Sequence, residues 1–190
     1  MKKVVQIRGA NAVGKTTAIR MFLARGGFEI VPIKIGAKEV ECNWDEKRGI
    51  FVIGRYDKCV SGGVDSAIKS REELLNTIAK AIREYKPETL LFEGILYGLT
   101  FKFAFDLSVF LKGVGYEYVG IGLFPPLGVA FDWLSERNGG KRVNETHIQQ
   151  KWYSALKSIK KLKDAGLNVR VVDSSKIRLE DMWKIIEDAI

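Results

Sequence analysis

The sequence predicts an α/β three-layer sandwich around a mainly parallel sheet, and three observations carry that expectation. A β-branched run over residues 3–8 leads into a glycine-bearing turn and then a helical pattern. Strand-like and helix-like runs alternate along the remaining chain. Finally, 190 residues with 46% hydrophobic and 28% charged content suit one globular domain with a substantial core, expected to span 1–190.

The elements follow in order. A strand over 3–8 precedes the glycine turn, and a helix is expected over 15–25. Residues 28–35 read as extended. An antiparallel pair, 39–44 and 49–53, flanks the turn-rich Asp45-Glu46-Lys47-Arg48 and makes a small β-hairpin insertion at about 38–54. A glycine-rich loop covers 54–66. Leu74, Leu75, Ile78, Ala81, Ile82 and Tyr85 have helical spacing over 70–86, which Pro87 ends. Residues 89–92 form a short buried strand, 101–112 a helix, 116–124 a strand and 126–136 a short helix. The polar, basic stretch at about 137–145 reads as a lid. A long helix over 146–165 stops at Gly166, where a C-terminal cap glycine belongs. The last strand is 167–173 and the last helix 178–189.

The strongest chemical signal is Gly9-Ala10-Asn11-Ala12-Val13-Gly14-Lys15-Thr16, spelled G-x-x-x-x-G-K-T between a strand and a helix. This is the phosphate-binding loop of P-loop NTPases. The loop's main-chain N–H groups and the following helix start form a positive cradle for phosphate oxygens. Lys15 is expected at the β- and γ-phosphates, and the Thr16 hydroxyl on Mg²⁺. ATP and Mg²⁺ are therefore the expected cofactors.

Second motifs separate the P-loop classes. No N-K-x-D reads guanine, and no Walker B aspartate ends a strand. Leu90-Leu91-Phe92-Glu93-Gly94 stands there instead, so Glu93 is the candidate carboxylate for Mg²⁺ or for orienting the acceptor. Ser61-Gly62-Gly63-Val64-Asp65-Ser66 imitates the pyrophosphate loop of adenylating enzymes and a transporter-ATPase signature. The Walker loop already occupies the position the first requires, and the helical subdomain and aspartate of the second are missing. The segment 54–66 reads better as an acceptor loop. Asp65 and Asp57 are the candidate proton acceptors, with Asp65 favoured beside its glycines, and an Asx turn is the alternative for each. Arg55 and Tyr56 could hold an acceptor by charge and stacking, with Gly62 and Gly63 giving it space. Lid cations Arg137 and Arg142 could close on the transferring phosphoryl group.

Other features are less specific. The net charge of +8 favours a polyanionic partner without establishing one. The lysines over 157–163 read as a solvated helix face. Cys42 and Cys59 fit no metal spacing and read as free thiols in a reducing compartment. His147 belongs at a helix start on the surface, and Asp173-Ser174-Ser175 is a weak candidate for adenine contact. No apolar run is long enough to span a bilayer, and a cytoplasmic protein with no membrane partner is expected.

The Walker loop, the Gly54-Arg55-Tyr56-Asp57 to Ser61-Gly62-Gly63-Val64-Asp65 segment, the Phe92-Glu93-Gly94 strand end, the lid and long helix, and Val171-Val172-Asp173 occur in one order. That order resembles bacteriophage P-loop kinases that include the 5-hydroxymethyluracil DNA kinases. The resemblance covers nearly the whole chain, and its more specific part is the glycine-glycine-x-aspartate loop paired with F-E-G. It implies transfer of the γ-phosphoryl group of ATP to the hydroxymethyl group of a modified thymine in DNA, within the host cytoplasm, preparing the base for hypermodification. It also implies a cradle at Gly9 to Thr17, an acceptor loop from Tyr56 to Asp65, a strand-end carboxylate at Glu93 and lid arginines at Arg137 and Arg142. A deoxynucleoside or deoxynucleotide monophosphate kinase, or a nucleotide-dependent binding switch, would use the same scaffold.

Overall fold

The structure is a computed structural model that describes residues 1–56, 63–141 and 144–190, and the Ser66 backbone without its side chain. Among the described residues, seven strands form one sheet in the order β2-β3-β4-β5-β1-β6-β7. They are β1 (Lys2–Arg8), β2 (Glu29–Ile35), β3 (Lys38–Asp45), β4 (Ile50–Ile53), β5 (Thr89–Glu93), β6 (Tyr116–Leu123) and β7 (Asn168–Val172). From β4 to β7 across the sheet all pairings are parallel. β3 runs antiparallel to both β2 and β4.

The antiparallel pair expected at 38–54 is present and is built into the main sheet. β4 pairs parallel with β5, and its four residues are all buried. A strand buried on both faces carries an unbroken apolar run, which Ile50-Phe51-Val52-Ile53 supplies.

Helices cover both faces: α1 (Lys15–Leu23), α2 (Val64–Ala67), α3 (Arg71–Tyr85), α4 (Ile95–Gly98), α5 (Phe101–Gly113), α6 (Leu127–Arg137), α7 (Glu145–Asp164) and α8 (Lys184–Glu187). On one face, Val4 and Phe92 pack with Leu74 and Ile78 of α3, Phe103 and Leu107 of α5, and Leu162 of α7. On the other, Val5, Ile7 and Leu91 pack with Ala18, Ile19 and Phe22 of α1 and with Met182, Ile185 and Ile186 near the C-terminus. The alternation of β1 between these clusters follows from the two-residue period of a strand.

Local signals set the helix ends. Ser70 caps α3 by accepting a hydrogen bond from the Glu73 N–H at 3.0 Å, while Glu73 Oε2 accepts from the Lys69 N–H at 2.8 Å. Asn144 caps α7 by accepting from the His147 N–H at 3.0 Å, which puts His147 on the surface as expected. Gly166, at φ 76°, follows the α7 C-cap as the sequence predicts. The single last helix expected at 178–189 is instead a 3-10 turn, Leu179–Asp181, followed by α8. Met182, Ile185 and Ile186 are buried at helical spacing, but Leu179 is exposed, so no apolar face holds the first half as a helix. The short helices α2 and α4, beside the site, have no periodic signal in the sequence.

Candidate active site

The loop after β1 emerges at the C-terminal ends of the parallel strands, where open α/β sheets bind ligands. Gly9 adopts φ 140° and Gly14 φ 94°. A Cβ on Gly9 would lie 2.7 Å from the Leu123 carbonyl oxygen at the end of β6, so the loop passes β6 only as glycine. Ala10 and Val13 are buried beneath the loop, and the Ser174 hydroxyl donates to the Val13 carbonyl at 2.9 Å. Ser174 is thus buried against the loop, while its neighbours Asp173 and Ser175 close a local turn, Ser175 Oγ donating to Asp173 Oδ1 at 2.6 Å.

Lys15 opens α1 and is only 5% exposed, its Nζ donating to the Ala10 carbonyl at 2.6 Å. Burial lowers its pKa, the charges of Glu93 and Asp65 oppose that shift, and Arg137 and Lys151 add to it. Thr16 Oγ1 donates to Glu93 Oε1 at 2.8 Å, and Thr17 follows in the first turn. Glu93 ends β5 opposite Ile7 of β1, which carries the carboxylate to the cradle. Burial raises the Glu93 pKa, while Lys15 and the Thr16 hydroxyl favour its charged form and Asp65 disfavours it.

Two glycines interlock the acceptor side with the strand end. A Cβ on Gly63 (φ 89°) would fall 2.3 Å from Glu93 Oε1. A Cβ on Gly94 would fall 2.9 Å from Asp65 Oδ1. Each glycine leaves room for the other segment's carboxylate, which brings Asp65 and Glu93 to one place. The backbones of Gly54 and Gly63 are also in contact, and Arg55 bridges to Gly63. Asp65 Oδ2 accepts from the Ile95 N–H at the start of α4. Asp65 Oδ1 is buried and has no hydrogen-bond partner among the described residues, as is also true of Asn11 Oδ1 in the phosphate loop. Burial raises the Asp65 pKa, with the Ile95 and Leu96 amides, Lys15 and Lys69 opposing. A hydroxyl, a thiol or a metal-bound water could meet Oδ1.

The other expected site residues fall as follows. Arg55 forms an ion pair with Glu41 at 2.8 Å. Tyr56 corrects the expectation of a stacking platform: it is 5% exposed, packs in the α1-side core and donates its hydroxyl to the Ile53 carbonyl. Its burial follows from the end of β4, where Arg20 of α1 also holds the Tyr56 carbonyl at 2.9 Å. Arg137 is exposed as the last residue of α6 rather than part of a loop. Gly139 and Gly140 follow at φ 67° and 76°. Asp57, Gly62, Arg142 and Cys59 lie outside the described residues. Cys42 is buried in β3, which pushes its thiol up to about 12.

Three residues enter without having been singled out in the sequence. Lys151 sits on the inward side of α7, three residues after buried Ile148 and four before buried Ala155. It is half-buried, forms no ion pair among the described residues, and its charge reaches Lys15. A lysine interrupting an apolar stripe was the available signal. Arg8 is fully buried and donates to Gln6 Oε1 at 2.7 Å, Ser158 Oγ at 2.7 Å and the Thr100 carbonyl at 3.1 Å. It ties the strand beneath the loop to α7 and to the start of α5. Arg20, through its bond to the Tyr56 carbonyl, braces the end of β4 against α1. Among the described residues no His, Cys, Asp or Glu cluster forms a metal cage. Thr16 with Glu93 is a hydroxyl and carboxylate pair of the oxygen chemistry Mg²⁺ takes.

Comparison with known proteins fits this geometry. A solved chain from the PezAT chromosomal toxin-antitoxin system of Streptococcus pneumoniae superposes with a TM-score of 0.52 at 13% identity, covering 98% of this chain and 78% of that one. At that identity the likeness is one of fold, the P-loop NTPase sandwich. The 5-hmdU DNA kinase 1 of Salmonella phage ViI is 29% identical over 150 residues, covering 77% of this chain. The 5-hmdU DNA kinase of Delftia phage PhiW-14 is 26% identical over 176 residues, covering 86% of this chain. The chain spans 64% and 65% of the lengths of these two relatives. The family profile described as 5-hmdU DNA kinase matches residues 2–183. The chain therefore belongs to the 5-hmdU DNA kinase family.

Proposed function

We propose that this chain is an ATP-dependent kinase, one domain over residues 1–190, acting in the host cytoplasm on the hydroxymethyl oxygen of 5-hydroxymethyluracil in DNA. The observation that carries the reading is the glycine interlock that sets Asp65 and Glu93 beside the phosphate loop. Phosphoryl transfer to an alcohol asks little covalent work of the protein and depends on positioning and charge.

In this reading the loop amides and Lys15 hold the β- and γ-phosphates of ATP, replacing the Lys15 contact to Ala10. Asp65 Oδ1 accepts the hydroxymethyl proton while Oδ2 stays anchored on the Ile95 amide. The substrate oxygen then bonds to the γ-phosphorus, the bond from that phosphorus to the β,γ-bridging oxygen breaks, and ADP leaves with the electron pair. Arg137 and Lys151, whose charges reach Lys15, would offset charge on the phosphoryl oxygens. Thr16 and Glu93 would hold Mg²⁺, directly or through water, and the ion would screen charge between the phosphates.

The test is transfer of label from γ-labelled ATP to an oligonucleotide carrying 5-hydroxymethyluracil, beside the free nucleoside and nucleotide. Label in the oligonucleotide, absent when the base is thymine, is the expected result. Efficient labelling of the monomers with none in the oligonucleotide would overturn the DNA substrate.

A further inference from the structure

The exposed side of α7 gathers four lysines that form no ion pair among the described residues. Elsewhere many surface cations are matched: Lys2 with Glu88, Lys38 with Glu73, Lys80 with Glu84, Lys102 with Asp106, and Arg178 and Lys184 with Asp181. On α7, Lys157, Lys160, Lys161 and Lys163 are exposed and form no ion pair among the described residues. Lys160 does not engage Asp164, although the four-residue spacing would allow it. Like charges at i,i+3 and i,i+4, as in Lys157 with Lys160 and Lys161, oppose the helix by a few tenths of a kcal/mol each. The helix dipole favours Lys161 and Lys163 in the last turn. It does not reach Lys157, which lies two turns from the end.

The phase of the helix gives the stripe a direction. Counting by three and four places Gln149, Tyr153, Lys157 and Lys160 on one outward line, flanked by Lys161 and Lys163. Tyr153 is 53% exposed and so presents a ring between amide and ammonium groups. α7 begins just after the 137–143 segment, and the charge of its Lys151 reaches Lys15. Its 20 residues extend about 30 Å away from the site. Neighbouring α5, packed on α7, exposes Phe105 and Val109.

We propose that the outward face of α7 is a polynucleotide track on which Lys157, Lys160, Lys161 and Lys163 hold backbone phosphates of the DNA whose modified base enters the site. The inference rests on the DNA-kinase reading and adds the surface that makes the acceptor a polymer. A row of unneutralised cations with an exposed ring matches a strand that carries regularly spaced phosphates and stacking bases. A folded-protein partner would need an acidic face of the same length.

Binding of a short fluorescein-labelled single-stranded oligodeoxynucleotide, followed by anisotropy over a range of salt, tests this without requiring chemistry. Replacing all four lysines by glutamine should leave the protein folded and its ATP-analogue affinity unchanged, since each side chain is exposed and outside any ion pair among the described residues, and the lost repulsion and lost dipole contact oppose each other in the melting temperature. DNA affinity at low salt should fall about ten-fold or more, and the log–log salt slope should shrink by about 3, roughly 0.7 for each phosphate that is no longer neutralised. A control that removes charge elsewhere, Lys34→Gln with Lys47→Gln and Arg83→Gln, should leave the slope in place. A slope change below about 0.7 in the α7 variant, or an equal change in the control, overturns the track. Failure of the wild type to phosphorylate the modified oligonucleotide while still binding it through α7 would overturn the kinase reading and leave the track standing.

Discussion

Lys15 is held in an environment that burial makes unfavourable for its charge, with Glu93 and Asp65 supplying opposite charge nearby. A buried ammonium whose one hydrogen bond among the described residues is to the Ala10 carbonyl is poised to exchange that contact for phosphate oxygens. Lys15→Ala should leave the fold intact and lower phosphoryl transfer by ~10² or more, the scale of removing one transition-state donor. Near-wild-type turnover in that variant would reject the P-loop mechanism. Asp65 makes a separate prediction about pH. Its pKa is raised, chiefly by burial, so the carboxyl keeps its proton to higher pH than an ordinary aspartate, about 3.9. A proton acceptor must be ionised, so kcat/KM for the oligonucleotide should fall as pH drops through that raised value. The acid limb should therefore lie above the usual aspartate range. Asp65→Asn should depress transfer much more than ATP affinity and remove the limb. An unchanged limb in Asp65→Asn would move the proton acceptor elsewhere.

At the scale of elements, the site depends on the contact between the α2 start and the end of β5. Gly63 faces Glu93 with no space for a methyl group and at φ 89°. Gly63→Ala should cost about 1–3 kcal/mol of backbone strain, since φ 89° with ψ −175° is a region only glycine enters readily. It should also displace Glu93, with a loss of transfer on the order of 10², because an ångström of misplacement has that effect. The displaced carboxylate should also raise the Mg²⁺ concentration needed for half-maximal rate, and a magnesium titration of wild type and variant would detect it. A Gly63→Ala enzyme with full rate and unchanged Mg²⁺ dependence would show that the interlock is only packing. The phosphate loop was legible because its glycine spacing, its strand and its helix are adjacent in sequence. The pairing of Gly63 with Glu93 and of Gly94 with Asp65 joins segments about thirty residues apart, and only the motif resemblance hinted at it. Lys151 was not legible, since its approach to Lys15 depends on the phase of α7 against the loop. Tyr56 was misread for a related reason: flanked by Arg55 and Asp57 it looks like a surface residue, but the buried strand before it delivers its ring to the core.

At the scale of the whole molecule, the alternation of strands and helices in the sequence was sufficient for the sandwich, while the neighbours of each strand were not. The pair at 38–54 looked like an appendage because antiparallel spacing is local, whereas the parallel pairing of β4 with β5 spans the whole of α3. That pairing has a consequence for the substrate. It brings the ends of β4, β5 and β1 together, so Asp65 and Glu93 lie in the floor between strand ends, half-buried and buried. A base stacked within a duplex keeps its 5-substituent in the major groove, and the sugar-phosphate walls beside it keep that group from such a floor. The target must leave the stack, at a cost of a few kcal/mol when it is paired and less when it is not. Single-stranded DNA, or duplex with a mismatch opposite 5-hydroxymethyluracil, should therefore be phosphorylated at least as fast as the matched duplex. Both polymers should lose rate steeply with salt, whereas the free nucleoside, which releases no condensed counterions, should not. Initial rates for the matched duplex, mismatched duplex, single strand and nucleoside at two salt concentrations measure all of this at once. A strong preference for the matched duplex would mean that the base is phosphorylated while still stacked, and that the floor between the strand ends is not where the acceptor binds.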